Sequence, residues 1–476
     1  MRGNYINGEW IEGHGNSLME IFNPASGEVI DTVLSSSVGD VDQAVLSAKK
    51  AFLTWAAKSP SVRSQAVLEL ANCLVENAEE LSRLESQNVG KPLVGAMEEM
   101  VFTADCLRFI AGAARTLGGQ SAGEYVSGYT SFLRRDPIGV CGQISPWNYP
   151  LHIALVKSAQ AIAVGNTVVV KPSEMTPLTL LRFMELADKL LPAGVLNIVN
   201  GCGIPVGSAI VAHPDVRAIS FTGDVATGTA ISLNSADKLK RLTLELGGKS
   251  PVVVFADANI KAAAEMLKFG AFANSGQDCQ AASRVLVEAS VYDDLLSELM
   301  PVVKSIKVGD PSKISNVDMG PVVSIGQQKR VMGFVERSVS EGATIVTGGN
   351  TLKSNGYFIE PTVIGDVDQN FEIANKEVFG PVVTLQRFKN EDEALIFANG
   401  TEYGLSSSVW TRDMGKAMRM SRQMQCGTVW INAHFIGSPE MPHGGFKQSG
   451  YGKDYSKYAL EENTVVKHVS INNATS

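Results

Sequence analysis

Residues 166–200 read NTVVVKPSEMTPLTLLRFMELADKLLPAGVLNIVN, and this stretch decides the predicted fold. It opens with a β-branched run, Thr167 to Val170, which predicts a strand. Thr176-Pro177 predicts the start of a helix, with threonine as the cap and proline in the first turn. A second apolar run, Val195 to Val199, predicts the next strand. A strand, a helix and a strand in this order indicate a parallel sheet.

The same alternation continues on both sides of this stretch. Between Ile138 and Phe255, further short apolar runs lie at Ala218–Thr222 and Val252–Phe255, which favours a doubly wound, Rossmann-like sheet. A second α/β region is predicted from about Leu246 to Gly445. Its strand-like runs are Ala282–Val287, Val382–Leu385 and Thr428–Asn432.

The amino-terminal part of the chain is predicted to be largely helical. Apolar residues recur from Val41 to Trp55 at spacings of four and three, as on one face of a helix, and Asp40 is placed to cap it. More helix is expected as far as about Gly118.

Two further segments predict β structure outside the main sheets. Ser121 to Arg135 is rich in Thr, Tyr and Ser and indicates a strand or hairpin. Thr464 to Ile471 indicates a strand with Val465 and Val469 on one face. Because an edge strand has unpaired backbone groups, we expect a homo-oligomer, a dimer or tetramer, built by sheet extension.

Composition excludes several classes of protein. The chain has 476 residues, 45% hydrophobic and 19% charged, which predicts two or three globular domains. A net charge of −8 without a dense basic block gives nucleic-acid binding no support. Apolar runs such as Ala161 to Val170 are too short for a membrane span, and the amino terminus lacks a secretory core. Six scattered cysteines without a CxxC pair predict no metal site and suit the cytoplasm.

Three segments carry candidate catalytic residues. Cys279 follows a Gly-Gln-Asp turn on a loop, where nucleophiles are commonly displayed, although an isolated cysteine is more often a buried structural residue. Glu245 lies in an apolar run closed by two glycines, where burial raises a carboxyl pKa toward the range of a general base; a solvent-facing glutamate is the alternative. Asn148, in a turn between two prolines, offers an amide N–H to a developing oxyanion, or bonds its own backbone.

Taken together, these segments resemble the NAD(P)-dependent aldehyde dehydrogenase superfamily over essentially the whole chain. The motifs that carry the resemblance are SPWNYP (145–150), VVVKPSE (168–174), FTG (221–223), LELGGKSP (244–251), GQDC (276–279), EVFGPV (377–382) and GGFKQSGYG (444–452). The resemblance implies a NAD-binding domain (1–118 and 139–247), a catalytic domain (248–448) and an oligomerisation element (119–138 and 449–476).

The resemblance also implies the roles of the three candidates. Cys279 would attack the aldehyde, and Asn148 with the Cys279 backbone N–H would hold the oxyanion. Hydride transfer to NAD would leave a thioester, which water activated by Glu245 would hydrolyse. Covalent catalysis of this kind divides one difficult oxidation into two easier steps.

The cofactor site is implied residue by residue. Lys171 and Glu174, with Ser173 between them, match positions at the adenosine ribose, where a carboxylate favours NAD over NADP. The other matching positions are Trp147, Glu377 and Phe379 for the nicotinamide end and Gly223, Asp224 and Gly228 for the pyrophosphate. Asp224 departs from the family, which usually has serine there. It would compete with the pyrophosphate for helix amides, or simply cap the helix and point away.

The substrate is predicted less directly. By resemblance the pocket includes Tyr149, Ile153, Val156, Gln280 and Glu440. Residues 440–454 look most like bacterial aminobutyraldehyde and betaine-aldehyde dehydrogenases, so we expect 4-aminobutyraldehyde or a related aminoaldehyde. Glu440 or Asp105 could pair with its cationic end, or be a solvated surface acid.

Other functions are weighed beside this one. Betaine aldehyde or a broad range of aliphatic aldehydes and semialdehydes are alternative substrates. A CoA-acylating enzyme would generally lack Glu245, and a dehydrogenase for acidic semialdehydes would want an arginine near Cys279. A catalytically silent binding relative is disfavoured by the intact set of Asn148, Glu245 and Cys279.

Overall fold

The computed structural model describes residues 3–119, 121–314 and 316–475. Within them lie two large sheets with helices packed against them, a three-stranded sheet and a two-stranded sheet. In chain order the strands are β1 (Asn4–Ile6), β2 (Glu9–Ile11), β3 (Leu18–Asn23), β4 (Glu28–Leu34), β5 (Gly123–Val126), β6 (Tyr129–Pro137), β7 (Val140–Ile144), β8 (Thr167–Lys171), β9 (Leu196–Ile198), β10 (Val216–Gly223), β11 (Arg241–Leu246), β12 (Pro251–Val254), β13 (Arg284–Glu288), β14 (Thr344–Thr347), β15 (Thr362–Gly365), β16 (Val382–Phe388), β17 (Ser406–Trp410), β18 (Thr428–Ile431), β19 (Gly450–Tyr451) and β20 (Thr464–Asn472).

Helices occupy much of the remaining chain. They are α1 (Val38–Trp55), α2 (Pro60–Glu76), α3 (Ala78–Val89), α4 (Leu93–Arg115), α5 (Pro150–Ala163), α6 (Leu178–Leu186), α7 (Ser208–Ala212), α8 (Val225–Ser235), α9 (Ile260–Phe272), α10 (Tyr292–Lys304), α11 (Ile325–Ser340), α12 (Glu372–Asn375), α13 (Glu391–Asn399), α14 (Met414–Gln423) and α15 (Ser456–Glu462).

The first large sheet confirms the predicted Rossmann-like architecture. Its order is β19-β11-β10-β7-β8-β9-β1-β2, and the neighbours from β11 to β9 are parallel. Val168, Val169 and Val170 in β8 are all fully buried. A strand covered on both faces needs apolar residues at successive positions, which is why this run is not alternating.

Two helix starts differ from those predicted. Thr176 does not cap α6, because its hydroxyl donates to the Trp147 carbonyl at 3.0 Å and the helix begins at Leu178. Asp40 is not the cap of α1 either. Ser37 is the N-cap, its hydroxyl accepts from the Asp40 N–H, and the Asp40 carboxylate accepts from the Ser37 N–H, a reciprocal capping box.

The second large sheet has the order β14-β15-β16-β13-β12-β17-β18, parallel from β15 to β18. The apolar run at Val252–Phe255 forms β12 of this sheet, although the sequence places it at the end of the first alternation. It pairs in parallel with β13 and β17, which are both later in the chain. The predicted second α/β region is therefore confirmed, and β12 belongs to it.

The segments predicted as outlying β structure come together in one sheet, β20-β6-β5. The Ser121–Arg135 segment forms the hairpin of β5 and β6, and β20 pairs antiparallel along the whole of β6, from Thr464↔Pro137 to Asn472↔Tyr129. Residues Gly450–Tyr451, assigned to this element from the sequence, instead form β19 against β11. That part of the predicted oligomerisation element belongs to the first sheet.

In the part of the chain that the structure describes, no helix combines the length and apolar character needed to cross a membrane. The same residues contain no cluster of three or more His, Cys, Asp or Glu side chains suited to a metal ion. The six cysteines are all free thiols.

Candidate active site

The carboxyl ends of neighbouring parallel strands place the first half of the site. β8 ends at Lys171, β10 at Gly223, and β11 ends one residue after Glu245. β7, which lies between β8 and β10, leads directly into the turn that carries Asn148. Ligands of open α/β sheets bind at this edge, so four of the predicted site segments reach it for topological reasons.

The second half comes from the amino ends of two strands of the other sheet. The loop with Cys279 precedes β13, and residues Glu377 and Phe379 precede β16, its parallel neighbour. Hydrogen bonds join the halves. The Asn148 side-chain N–H donates to the Gln277 carbonyl at 3.0 Å, and the Gly248 backbone N–H donates to Glu377 at 2.8 Å. The predicted residues of both sheets therefore meet in one cleft.

Cys279 is partly exposed in this cleft. A side chain at Gly248 would overlap the Cys279 carbonyl, so the glycine allows the two chains to approach. Burial raises the pKa of the Cys279 thiol well above its ordinary value, and the nearby charges of Asp278, Glu377 and Glu245 raise it further. In this state the sulfur is a protonated thiol, and a base or a positive charge must arrive before it can act as a thiolate.

The turn before Cys279 is held by a short network of amides. Asn274 and Ser275 both have left-handed backbone angles, with φ of 47° and 58°. The Asn274 side chain donates to the Asn148 carbonyl at 3.1 Å, which ties this turn to the turn of the first sheet. An amide nitrogen carries two hydrogens, so Asn148 can donate to Gln277 and still offer one N–H to an oxyanion.

Glu245 is 3% exposed, and among the described residues neither of its carboxylate oxygens has a hydrogen-bond partner. His443 Nε2 lies 3.4 Å from one of these oxygens. Burial raises the pKa of Glu245 well above its ordinary value, and the charge of Asp454 adds to the rise. Burial also lowers the pKa of His443 to about 4, so this imidazole is neutral at neutral pH. The environment is the one expected of a general base.

A charged pair behind Glu245 was not predicted from the sequence. Lys157 Nζ lies 2.7 Å from the Asp454 carboxylate and donates to the Ser220 hydroxyl at 2.9 Å. The charge of Asp454 raises the pKa of Glu245, and the charge of Lys157 lowers it. The signal was available: Lys157 is the only lysine or arginine in the largely apolar helix α5, and a buried lysine requires a partner.

The residues predicted for the adenosine end of the cofactor lie at the end of β8. Lys171 is buried, and its ammonium donates to the carbonyls of Pro172 and Gly201 at 2.7 and 2.8 Å. It also lies 3.3 Å from Glu174, whose side chain is 41% exposed. Ser173 is buried and accepts from the Met175 N–H. The lysine thus pairs with a carboxylate that remains partly exposed to solvent.

The predicted nicotinamide end lies closer to the thiol. Burial raises the pKa of Glu377 to about 7, although the Gly248 N–H and the charge of Arg330 oppose the rise. The rings of Trp147 and Phe379 meet edge to face with centroids 5.2 Å apart. Phe379 has a φ of 59°, a strained angle for an aromatic residue, so the surrounding structure holds it in place.

Asp224 is the N-cap of α8. Its carboxylate accepts from the Thr227 N–H at 2.9 Å and from the Thr227 hydroxyl at 2.7 Å. This agrees with the helix-cap alternative. It also means that one backbone N–H of the first turn already donates to a carboxylate. A side chain at Gly223 would overlap the Phe221 ring, and one at Gly228 would overlap Leu246, so each glycine has a packing reason of its own.

The predicted substrate residues are spread over different environments. Tyr149 is only partly buried. Ile153 is partly exposed on α5, whereas Val156 is buried in the core under the first sheet. The Gln280 carbonyl contacts His434, while Glu440 is exposed and accepts from Ser438 at 2.8 Å.

Comparison with known proteins identifies the family. Residues 10–469 match the aldehyde dehydrogenase family. This chain belongs to the aldehyde dehydrogenase family. The resemblance read from the motifs is thereby confirmed.

Individual aldehyde dehydrogenases match along almost their full length. The chain is 40% identical to the mitochondrial aldehyde dehydrogenase of Leishmania tarentolae, covering 98% of this chain and 93% of that protein. It is 39% identical to the betaine aldehyde dehydrogenase of Bacillus subtilis, covering 98% and 96%. The crystal structure of Staphylococcus aureus betaine aldehyde dehydrogenase in complex with NAD+ superposes with a TM-score of 0.97 at 38% identity, covering 99% of this chain and 95% of that one.

Proposed function

We propose that this aldehyde dehydrogenase oxidises its aldehyde to a carboxylate with NAD, through a thioester on Cys279. The observation that carries the proposal is the meeting of three segments in one cleft: the Cys279 loop, the Asn148 turn tied to it through Gln277, and the buried Glu245. These are the nucleophile, the oxyanion donor and the base that the two-stage reaction requires.

The residues present fit NAD. Glu174 presents an accessible carboxylate that can accept from free ribose hydroxyls and that repels a 2′-phosphate. The rest of the NAD molecule would be held by Lys171, Glu377 and the Trp147–Phe379 pair. When bound, NAD supplies the hydride acceptor, and the relative from Staphylococcus aureus has been crystallised with it.

The chain's own residues perform the other steps. The Cys279 thiol gives its proton to solvent water as the sulfur bonds to the aldehyde carbon, and the carbonyl oxygen becomes an oxyanion that Asn148 Nδ2 can stabilise. Loss of hydride from that carbon leaves a thioester. Glu245 then takes a proton from water, whose oxygen attacks the thioester and releases the carboxylate. Burial raises the pKa of Glu245, which makes its carboxylate a stronger base toward water than a solvent-exposed glutamate.

We propose a cationic aldehyde as substrate, with betaine aldehyde ahead of 4-aminobutyraldehyde. The expectation of 4-aminobutyraldehyde gains no support from the comparisons, whereas betaine aldehyde dehydrogenases of Bacillus subtilis and Beta vulgaris are each 39% identical to this chain. Aromatic side chains near the thiol favour a quaternary ammonium group. Tyr149 and Tyr455 both lie within electrostatic range of the Cys279 sulfur.

A matched pair of substrates tests the cationic preference. We expect kcat/KM for betaine aldehyde to exceed that for 3,3-dimethylbutanal, its uncharged isostere, by roughly 5- to 30-fold, because cation–π contacts are worth about 1–2 kcal/mol when desolvated. 4-Aminobutyraldehyde and butanal form the second pair. NADH absorbance gives all four rates. Equal or better use of the neutral aldehydes would exclude the cationic proposal while leaving the oxidation itself intact.

Asp224 is predicted to weaken NAD binding. Asp224→Ser keeps a good N-cap, so the melting temperature should stay the same, but it removes a negative charge beside the expected pyrophosphate. We expect the NAD dissociation constant, measured by tryptophan fluorescence or calorimetry, to fall several-fold. Asp413→Ser, the same change at the exposed N-cap of α14, serves as the control. An unchanged constant would show that the Asp224 carboxylate does not compete.

Homo-oligomer formation and a cytoplasmic location stay predictions. The three-stranded sheet supports the first, since β20 and β5 are its two edges and each has backbone groups to offer to another sheet. Light scattering on the purified protein measures the particle mass, and a monomeric mass at micromolar concentration would contradict it.

A further inference from the structure

A buried histidine contacts the turn that carries Cys279. His434 follows β18, is 3% exposed, and packs against the Trp430 ring with centroids 4.8 Å apart. Its Nε2 lies 2.8 Å from the Gln280 carbonyl oxygen, and its Nδ1 lies 3.1 Å from the Ser408 hydroxyl. The proposed reaction assigns no role to this histidine. It nevertheless connects the second large sheet to the residue that follows the nucleophile.

The two partners of His434 fix its tautomer. A carbonyl oxygen can only accept, so Nε2 carries a hydrogen and donates to Gln280. Burial lowers the pKa of His434 to about 4, so the ring is neutral at neutral pH and its Nδ1 has no hydrogen. Nδ1 therefore accepts from the Ser408 hydroxyl. The histidine is an uncharged donor that is held in one orientation toward the Gln280 carbonyl.

Cys279 and Gln280 are the two central residues of a turn. The turn is closed by the Ala281 backbone N–H, which donates to the Asp278 carbonyl at 3.2 Å. The Gln280 N–H donates to the Asp278 carboxylate at 2.7 Å. The N–H of the first central residue takes no part in closing a turn of this kind, so the Cys279 N–H can donate to an incoming oxygen.

Two peptide groups connect His434 to that N–H. The Gln280 carbonyl accepts from His434, and the Ala281 N–H of the same peptide group donates to the Asp278 carbonyl. The Asp278 carbonyl belongs to the peptide group whose N–H is that of Cys279. Hydrogen bonds in series polarise one another, because a peptide group that accepts a bond at its carbonyl becomes a stronger donor at its N–H. His434 therefore both orients the Cys279 N–H and strengthens it as a donor.

We propose that His434 is a positioning residue for the oxyanion site at Cys279, acting through the Gln280–Ala281 and Asp278–Cys279 peptide groups. This role rests on the proposed function, in which the oxygen of the reacting carbonyl becomes negative beside the Cys279 N–H. Stabilisation of that charge by an oriented donor is a large part of such catalysis. The reactivity of the sulfur toward a reagent that forms no oxyanion should not depend on His434.

Two reagents separate the oxyanion from the sulfur. With 4-nitrophenyl acetate, the sulfur bonds to the acetyl carbon through a tetrahedral oxyanion, the bond to nitrophenolate then breaks, and the thiol proton goes to solvent. With iodoacetamide, the same sulfur displaces iodide from a CH₂ group, the proton again goes to solvent, and no oxyanion forms. Neither reagent needs NAD or an aldehyde. The ratio of the two rates at Cys279 therefore measures the oxyanion site alone.

The test uses the full-length, cofactor-free protein, with early acid quenching and mass spectrometry of the Cys279 peptide. His434→Phe keeps a ring beside Trp430 but has no N–H. At pH 7 we expect it to slow acetylation roughly 10-fold, less than loss of a whole oxyanion donor would, and to leave alkylation within about 2-fold of wild type. His434→Gln, whose amide N–H can donate to the Gln280 carbonyl, should restore most of the acetylation rate. His213→Phe, at a histidine that contacts Asp42 instead, is the control and should change neither rate.

Three results would overturn the proposal. The first is an equal fall in acetylation and alkylation in a folded His434→Phe protein, since the histidine would then only support the loop. The second is an acetylation rate that His434→Phe leaves unchanged or that His434→Gln does not restore. The third is a wild-type Cys279 that is acetylated no faster than the exposed Cys202.

A second variant and an independent assay keep these outcomes distinct. If His434→Phe does not fold, His434→Met takes its place, because methionine is flexible enough to fill the site and has no N–H. Loss of NADH formation by the wild-type protein would sink the proposed dehydrogenation. It would leave the acetylation and alkylation rates interpretable, since neither requires NAD.

Discussion

Cys279→Ala should abolish aldehyde-dependent NADH formation. Alanine leaves the cleft and its cofactor residues in place but removes the atom that bonds to the aldehyde, so oxidation has no covalent path. We expect kcat/KM to fall on the order of 10⁵-fold, the scale seen when a nucleophile that acts with its partners is removed. A steady-state assay with a detection limit near one part in 10⁵ measures this.

Two measurements make that result specific. NAD should still bind to Cys279→Ala with a dissociation constant close to that of the wild type, since the thiol is not among the predicted cofactor ligands. Cys73→Ala, a substitution at a buried thiol of α2, should retain full activity. A folded Cys279→Ala protein that kept a few per cent of the wild-type rate would show that the reaction does not need this sulfur.

Glu245→Gln should separate the two halves of the reaction. Glutamine has the same shape but cannot take a proton from water, so the thioester forms and then persists. We expect the steady-state kcat to fall about 10²- to 10⁴-fold, the usual contribution of a general base, after a rapid burst of one NADH per active site. Because Glu245 is buried without a hydrogen-bond partner among the described residues, a neutral amide should not lower the melting temperature.

Glu377→Gln is the matched control, since it removes a second buried carboxylate from the same cleft. It should raise the KM for NAD. It should not give the rapid burst of NADH and the slow steady-state rate expected of Glu245→Gln. The pH dependence adds an independent check. The pKa of Glu245 is raised, so the hydrolytic step should weaken as pH falls through it, and this acidic limb should vanish in Glu245→Gln. A Glu245→Gln protein with a normal steady-state rate would assign the base elsewhere.

The regular parts of this fold could be predicted because their patterns are local. The run Thr167–Val170 gave a buried parallel strand, and the Ser121–Arg135 segment gave a hairpin, since both signals lie within a few residues. Pairing between distant segments could not be predicted in the same way. That β12 joins the second sheet, or that Gly450–Tyr451 joins the first, depends on which strands are neighbours in space.

The residues of the candidate site likewise fall into those that could be predicted from local motifs and those that could not. Cys279, Asn148 and Glu245 carry motifs, and their meeting was expected before any geometry. Lys157 carries none, and it matters only because a buried charge requires a partner, here Asp454. Asp224 lies between these two cases. Its position as a helix cap could be proposed from the sequence, but its hydrogen bond from the Thr227 N–H could not.

Mass spectrometry of Glu245→Gln tests the thioester most directly. The protein is mixed with NAD and betaine aldehyde, quenched in acid after the burst, and its intact mass and peptides are determined. The thioester mechanism predicts one acyl group per chain, which adds the mass of the aldehyde less two hydrogens, is located on Cys279 and is removed by hydroxylamine. Unmodified Cys279 after a full burst of NADH, or an acyl group on another residue, would contradict it.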